Sequence, residues 1–397
     1  MTATRQDVSA PLARLRVPAL AAGAVGALAC IVGAFVDREH FFVAYLWAYF
    51  FWLGIALGSM AVVMLHTLTG GQWGTPLRRI AEAAMSTLPL MAVLFVPLLL
   101  GLHELYPWAQ PAAVAAEEVL RHRAPLFERS FFLLRATAYF AVWIVLALSL
   151  RRWSARADVE PAEPLFSRMR TASAAGLILY VLTITHAGVD WIFSRDVHFY
   201  STASGFVLST GQTLSAFAFL LIMVTGLAAQ PALRGRLSPP VLIDLGNLLM
   251  TMVVLWAYVS FFQFLVIWMG NTREDNSWYT QRGVGQLDSA WKWVGVLLMI
   301  IHFAVPFAVL LFRAAKRRLA SLAAVAGVVL LAHVVEQAWL VLPAGEYADP
   351  HVTVSWLDVA APVGIGGIWC AAFLWLLGRQ PLVMQASSEA HGAEVAA

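Results

Sequence analysis

Ten apolar runs, each near or above the roughly 20 residues that a helix needs to cross a bilayer, constrain this chain more than any other feature. Read from one polar break to the next, they cover Val17 to Val36, Phe41 to Leu68, Ile80 to Leu102, Ser130 to Leu150, Met169 to Phe193, Ser204 to Ala229, Val241 to Trp268, Leu287 to Phe312, Leu319 to Leu342 and Val354 to Leu377. Hydrocarbon offers no partner to backbone N–H and C=O groups, so a chain that crosses it this often must close its hydrogen bonds within each crossing, as a helix does. A 60% apolar composition and a mean hydropathy of +0.74 agree, and 397 residues divided among ten crossings leave no room for a large soluble domain. The sequence predicts an all-α, polytopic membrane protein with ten transmembrane helices. Residues 1–16 form an N-terminal segment, 17–378 the membrane domain and 379–397 a disordered tail of Ser, Glu, His and Ala.

Charge sets the expected orientation. The first run is long, lacks a small-residue cleavage site and follows Arg5, Arg14 and Arg16, which reads as a retained cytoplasmic N-terminus and not a cleaved signal. With that terminus inside, 17 of the 26 Lys and Arg fall on the inner side, as the positive-inside rule requires, and both termini are cytoplasmic in a bacterial inner membrane. The outer connections are then Asp37 to His40, His103 to Arg129, Arg195 to Ser201, Asn271 to Gly285 and Pro343 to Asp349. Their length and aromatic content mark them as partner surfaces.

A weak internal repeat relates helices two to five to helices six to nine. His40-Phe41-Phe42 parallels His198-Phe199-Tyr200; Glu82 after Arg78 and Arg79 parallels Asp244 after Arg234 and Arg236; His186 and Asp190 parallel His333 and Glu336; Arg151-Arg152 parallels Arg313. The order predicts two like-oriented four-helix bundles, helices 2–5 and 6–9, flanked by helices 1 and 10.

The only cysteines, Cys30 and Cys370, stand alone, so no Fe–S cluster, CxxCH haem attachment or Cys-rich zinc site can form, and no metal ligand set is expected. Ionisable groups inside spans cost about 2.5–3.5 kcal/mol each, so each needs a partner or a task. His186 and Asp190 are four apart and His333 and Glu336 three apart, so each pair shares a helix face where the carboxylate can orient the imidazole and pass protons; self-satisfied interfacial pairs are the plainer reading. Glu82 and Asp244 lie near the inner edge with His66 and Asn247. His302 is deeper, and Tyr258, Ser260 and Gln263 place a polar middle on helices seven and eight, where the better proton route is expected. Asp288 and Lys292 read as an ion pair at the outer end of helix eight. A haem would need two facing imidazoles at one depth, for which His186 and His333 are the candidates. Trp73, Trp108, Trp153, Trp191, Trp268, Trp278, Trp291 and Trp356 read as an interfacial belt, and Gly54-x-x-x-Gly58 as a close helix contact.

The stretch Trp256-Ala-Tyr258-Val-Ser260-Phe-Phe-Gln263 to Trp268-Met-Gly-Asn271-Thr-Arg-Glu274-Asp275 resembles a segment of the NrfD/polysulfide-reductase family of membrane subunits, with Asp275 where the family often has Glu. Asp190-Trp191-Ile-Phe-Ser-Arg-Asp196-Val-His198-Phe-Tyr200-Ser201-Thr202 looks like the corresponding run of the ActF type, quinone-binding subunit two of alternative complex III. His302 with Pro306, His333 with Trp339 and Pro343, and Tyr45 to Gly54 followed by His66 and Gly70-Gly-Gln-Trp73 are also similar, so the likeness covers most of Phe41 to Gly378. It implies a subunit of a quinol:cytochrome c (or other acceptor) oxidoreductase without a redox centre of its own. It further implies quinol as a possible ligand, a larger NrfD-like sibling, and haem and Fe–S centres in partner subunits, a multihaem cytochrome and an Fe–S protein. A self-contained proton-coupled transporter and a structural membrane anchor are the alternatives.

Overall fold

The computed structural model describes residues 9–160, 162–199, 201–285, 289–343, 352 and 354–383. Among these there is no strand. Ten helical spans are long and apolar enough to cross a membrane: α1 (Leu12–Val36), α2 (Arg38–Thr69), α3 (Arg78–Leu100), α4 (Arg129–Arg156), α5 (Glu163–Arg195), α6 (Ser204–Leu227), α7 (Pro239–Gly270), α8 (Ala290–Leu311), α9 (Leu319–Val341) and α10 (Leu357–Leu377). The number and order of spans are those the apolar runs predict. Helices α4, α5 and α7 extend past the apolar runs into charged or proline-started turns, since hydropathy marks the hydrocarbon and not the end of a hydrogen-bonded helix.

Helix α2 is the hub. Almost every residue from His40 to Met64 is buried, and α3, α5, α6, α9 and α10 pack on it. Its Gly54 and Gly58 are where α6 crosses: a Cβ built on Gly58 would lie 2.0 Å from the Gln212 carbonyl oxygen, so only glycine allows this approach. The most extensive contact joins α1 to α10, again through small residues, with a Cβ on Gly26 only 2.5 Å from the Gly364 Cα. Leu12 reaches Gly378 across that pair, so the start of α1 and the end of α10 share one face of the molecule, here the proximal face. Helix α4 packs on α3 and α5; α7 packs on α6 and α8, and α9 on α6 and α8.

Prolines break two spans. Helix α3 consists of Arg78–Met85, Leu88–Leu94 and Val96–Leu100, interrupted ahead of Pro89 and Pro97. Because the Leu98 N–H turns to the Phe95 carbonyl, the Leu94 carbonyl is left to the Tyr45 hydroxyl of α2 at 2.9 Å, and Tyr49 donates to the Met91 carbonyl at 3.0 Å. In α8, Pro306 has no N–H to offer the His302 carbonyl, and Met299–Ala304 widens into a π turn in which the Val305 N–H reaches Ile300.

The tryptophans depart from the expected belt. Trp108, Trp191, Trp278 and Trp291 are buried, while Trp268 and Trp356 remain half exposed. Trp191 stacks into a cluster with Phe95, Tyr139, Phe140 and Trp143, and Trp108 donates to Ser194 at 3.0 Å, tying the 101–128 connection onto the end of α5. A segment's hydropathy places these rings near a helix end but does not say whether another element covers them.

Candidate functional site

Three helices bring one polar cluster together in the apolar interior. Glu336 and His333 stand one turn apart on α9, His302 sits in the π turn of α8, and Trp256 lies on the buried face of α7. His333 Nδ1 is 2.7 Å from Glu336 Oε2, and the Trp256 indole donates to Glu336 Oε1 at 2.8 Å. His302 Nδ1 lies 3.6 Å from the same Oε2, and its ring packs on Trp256 with centroids 4.1 Å apart. Neither nitrogen of the fully buried His302 has a hydrogen-bond partner among the described residues. Gln337 Nε2 faces His333 Nε2 at 3.3 Å, and Gln337 Oε1 has no partner among the described residues. A Cβ on Gly211 of α6 would stand 3.2 Å from His333 Cε1, so this glycine makes room for the imidazole.

Glu336 also lines a cavity of about 390 Å³ between α7, α8, α9 and the short helix Arg273–Gln281. That volume lies in the range of small-molecule sites. Its walls are mostly apolar and aromatic, with Trp278, Trp291 and Trp339 toward the distal side and Phe261, Val296 and Met299 at an outward-facing rim. Six polar side chains line it: Glu336, Gln263, Ser260, Tyr279, Arg282 and Lys292. Gln263 Oε1 and Ser260 Oγ are buried and have no hydrogen-bond partner among the described residues. Burial pushes the Tyr279 phenol up to about 12, so it stays a donor across the physiological range. Arg282 lies 3.2 Å above the Trp278 ring centroid and donates to the carbonyls of Trp278, Trp339 and Leu340. Burial pulls its guanidinium well below its ordinary value, while nearby Asp196 acts the other way.

The other residues singled out by sequence fall in several places. His186 and Asp190 do not pair. His186 is exposed and bonds the Leu182 carbonyl at 2.8 Å, whereas Asp190 takes two bonds from Arg135, at 2.8 Å each, and one from Tyr139 at 2.9 Å. An i,i+4 spacing permits contact, but a guanidinium arriving from α4 offers the carboxylate two charge-assisted bonds and takes it. With His186 exposed and His333 buried, the two do not face each other as a haem pair. Glu82 is fully buried, held by Arg78 at 3.0 Å, Arg79 at 2.9 Å and Ser154 at 2.5 Å, while Arg79 also pairs with Asp158. Its repeat counterpart Asp244 is exposed. Tyr258 faces outward at 64% exposure, so it takes no part in a polar middle. Asp196 caps the turn at His198 and Phe199 and meets Ser277; half-buried His198 contributes its backbone N–H; Asn271 ends α7 in the left-handed conformation, φ 47°. The side chains of Glu274 and Asp275, and Asp288, the partner expected for Lys292, lie outside the described residues.

Sequence reasoning missed four groups. Trp256 was read only as part of a motif, and Gln337 was hidden among apolar neighbours. Arg135 and Arg282, which look interfacial in the sequence, are respectively the partner of Asp190 and a wall of the cavity. A second polar patch lies at α2, α5 and α6, where the Tyr180 hydroxyl donates to Gln212 Oε1 at 2.9 Å and buried Ser59 Oγ and Gln212 Nε2 have no partner among the described residues. Gln212 follows Gly211, which touches His333, so this patch borders the cluster. No family model matches the chain, and no curated protein matches it.

Proposed function

We propose that this chain is an integral membrane subunit of a quinol-oxidising complex, of the quinol:cytochrome c type, in a bacterial inner membrane, with its haem and Fe–S partners on the distal face. The observation that carries the reading is the apolar cavity ending on Glu336, whose carboxylate is held by His333 and Trp256. An amphiphilic ring entering past Phe261 and Met299 would lay its apolar body along the aromatic wall. Its hydroxyl would meet Gln263, Tyr279 or Glu336. A carboxylate backed by an imidazole can accept a proton there, since transfer needs a base within hydrogen-bond reach and little more. In this reading electrons leave to another subunit, and the two unpaired cysteines, Cys30 and Cys370, offer no thiolate cluster to hold them.

Helices α2–α5 and α6–α9 are read as two like-oriented four-helix bundles, and the proton path is placed between them. It runs from Glu336 and His333 past Gln212 and Tyr180, and not through exposed Asp244 and outward-facing Tyr258. The breaks in α3 lend no support to the transporter alternative: two of the carbonyls beside them are taken by Tyr45 and Tyr49, so these breaks do not open a coordinating site. The test is purification from native membranes with a mild detergent. Haem-bearing and Fe–S subunits and quinol:acceptor activity should copurify; a fully folded monomer that retains no partner across detergents would refute the reading.

A further inference from the structure

We propose that His302, His333 and Glu336 form a binding site for one divalent transition-metal ion of the zinc or ferrous class. The proposal stands on the cluster's own geometry and does not depend on the quinol reading. One ligand atom from each of the three residues lies within 4.8 Å of the other two, and all three side chains are buried. Both Nδ1 atoms converge on Glu336 Oε2, at 2.7 and 3.6 Å. These distances bracket the roughly 3.4 Å that separates neighbouring ligand atoms on a tetrahedral ion with bonds of about 2.1 Å. Small side-chain adjustments close the set. Two imidazoles and one carboxylate with an open position suit zinc or non-haem ferrous iron, and not the oxygen-only shells of calcium or magnesium.

Independent support comes from the unsatisfied atoms. A fully buried imidazole with neither nitrogen engaged is rare, and each unmade bond costs stability, so His302 is placed as a ligand would be. Gln337 supplies the outer contact. Its Nε2 faces His333 Nε2 while its Oε1 is idle. Turning the amide over, an assignment that geometry alone leaves open, makes Oε1 the acceptor for an Nε2–H and frees Nδ1 as the donor to the ion. Trp256 holds Glu336 Oε1, so Oε2 remains the ligand oxygen. A divalent ion with one carboxylate leaves a buried charge of +1, and because Glu336 lines the cavity, an oxygen anion arriving from that side can take the fourth position and neutralise it.

The experiment uses the full chain in detergent or nanodiscs, purified without a polyhistidine tag, and titrates Zn(II) alone. One ion per chain should bind. His302→Ala and Glu336→Gln should each weaken binding at least tenfold, Gln337→Ala should weaken it by about tenfold to a hundredfold, and His122→Ala on the exposed distal connection should leave it unchanged. Co(II) in the native chain should give the visible d–d bands of a four- or five-coordinate N/O site, displaced by Zn(II); this readout needs no variant that fails to fold. Absence of stoichiometric Zn(II) binding and of Co(II) bands in the folded native chain would overturn the proposal, as would native affinity in both His302→Ala and Glu336→Gln. None of these readouts involves quinol, so the site and the quinol reading fail separately.

Discussion

At the scale of single residues, the two carboxylates that sequence treats as equivalent do different work. Asp190 is held in a bidentate pair by Arg135 and by a third bond from the Tyr139 hydroxyl. Asp190→Asn leaves a guanidinium facing a neutral amide in a largely buried position, and breaking such a pair costs about 3 kcal/mol. The expected outcome is a lower midpoint in thermal unfolding, with specific activity of the surviving complex preserved; a normal midpoint with lost turnover would reverse this assignment. Glu336 is held instead by the His333 imidazole and by an indole that only positions it, with no guanidinium against it among the described residues. Glu336→Gln keeps size and most packing, so the chain should assemble while quinol-dependent turnover falls at least tenfold, measured on the purified complex. Turnover within twofold of native would remove Glu336 from the chemistry.

Elements decide where these residues can meet. His302 is reached only because α8 widens into a π turn ahead of Pro306, which withholds the N–H that a regular helix would give the His302 carbonyl. Pro306→Ala restores that donor and favours a regular turn, rotating His302 away from Glu336. The expected result is unfolding stability equal to or above native with turnover reduced several-fold, and native turnover would show that the turn is held by packing alone. The α2–α6 crossing is the other fixed point. With a backbone carbonyl 2.0 Å from the Cβ position of Gly58, Gly58→Val must separate the helices, an overpacking cost of roughly 1–3 kcal/mol. Gly226, with nothing near its Cβ position, provides the contrast: Gly226→Ala should be stable in the same thermal assay.

For the whole molecule, the polar groups are distributed unequally. The buried carboxylate toward the proximal face is Glu82 among α2–α5, and the buried carboxylate–histidine cluster is on α7–α9; the proton path proposed above would join them by way of Gln212, which accepts from Tyr180. Gln212→Leu should lower the proton-to-electron ratio in reconstituted vesicles while quinol oxidation stays measurable, and Asp244→Asn should leave the ratio unchanged. The opposite pattern would restore the path through α7. The likeness of the two halves in the sequence does not extend to their chemistry: Glu82 is buried with three partners and its counterpart Asp244 is exposed.

What the sequence determined by itself is whatever the bilayer enforces one segment at a time. Hydrocarbon leaves no backbone group unpaired, so length and hydropathy were enough to count ten spans. The close approach at Gly54 and Gly58 was also legible, because a missing side chain on a span has few other uses. Which faces meet was not. His333 and Glu336 were readable as a pair, since three residues along a helix fix their contact. The arrival of His302 depends on a π turn, that of Trp256 on the rotation of α7, and the separation of His186 from Asp190 on Arg135 coming from α4. In a span apolar on nearly every side no hydrophobic stripe points inward, so helix rotation is set by neighbours, and only tertiary packing decided which carboxylate became a buried site and which an ion pair.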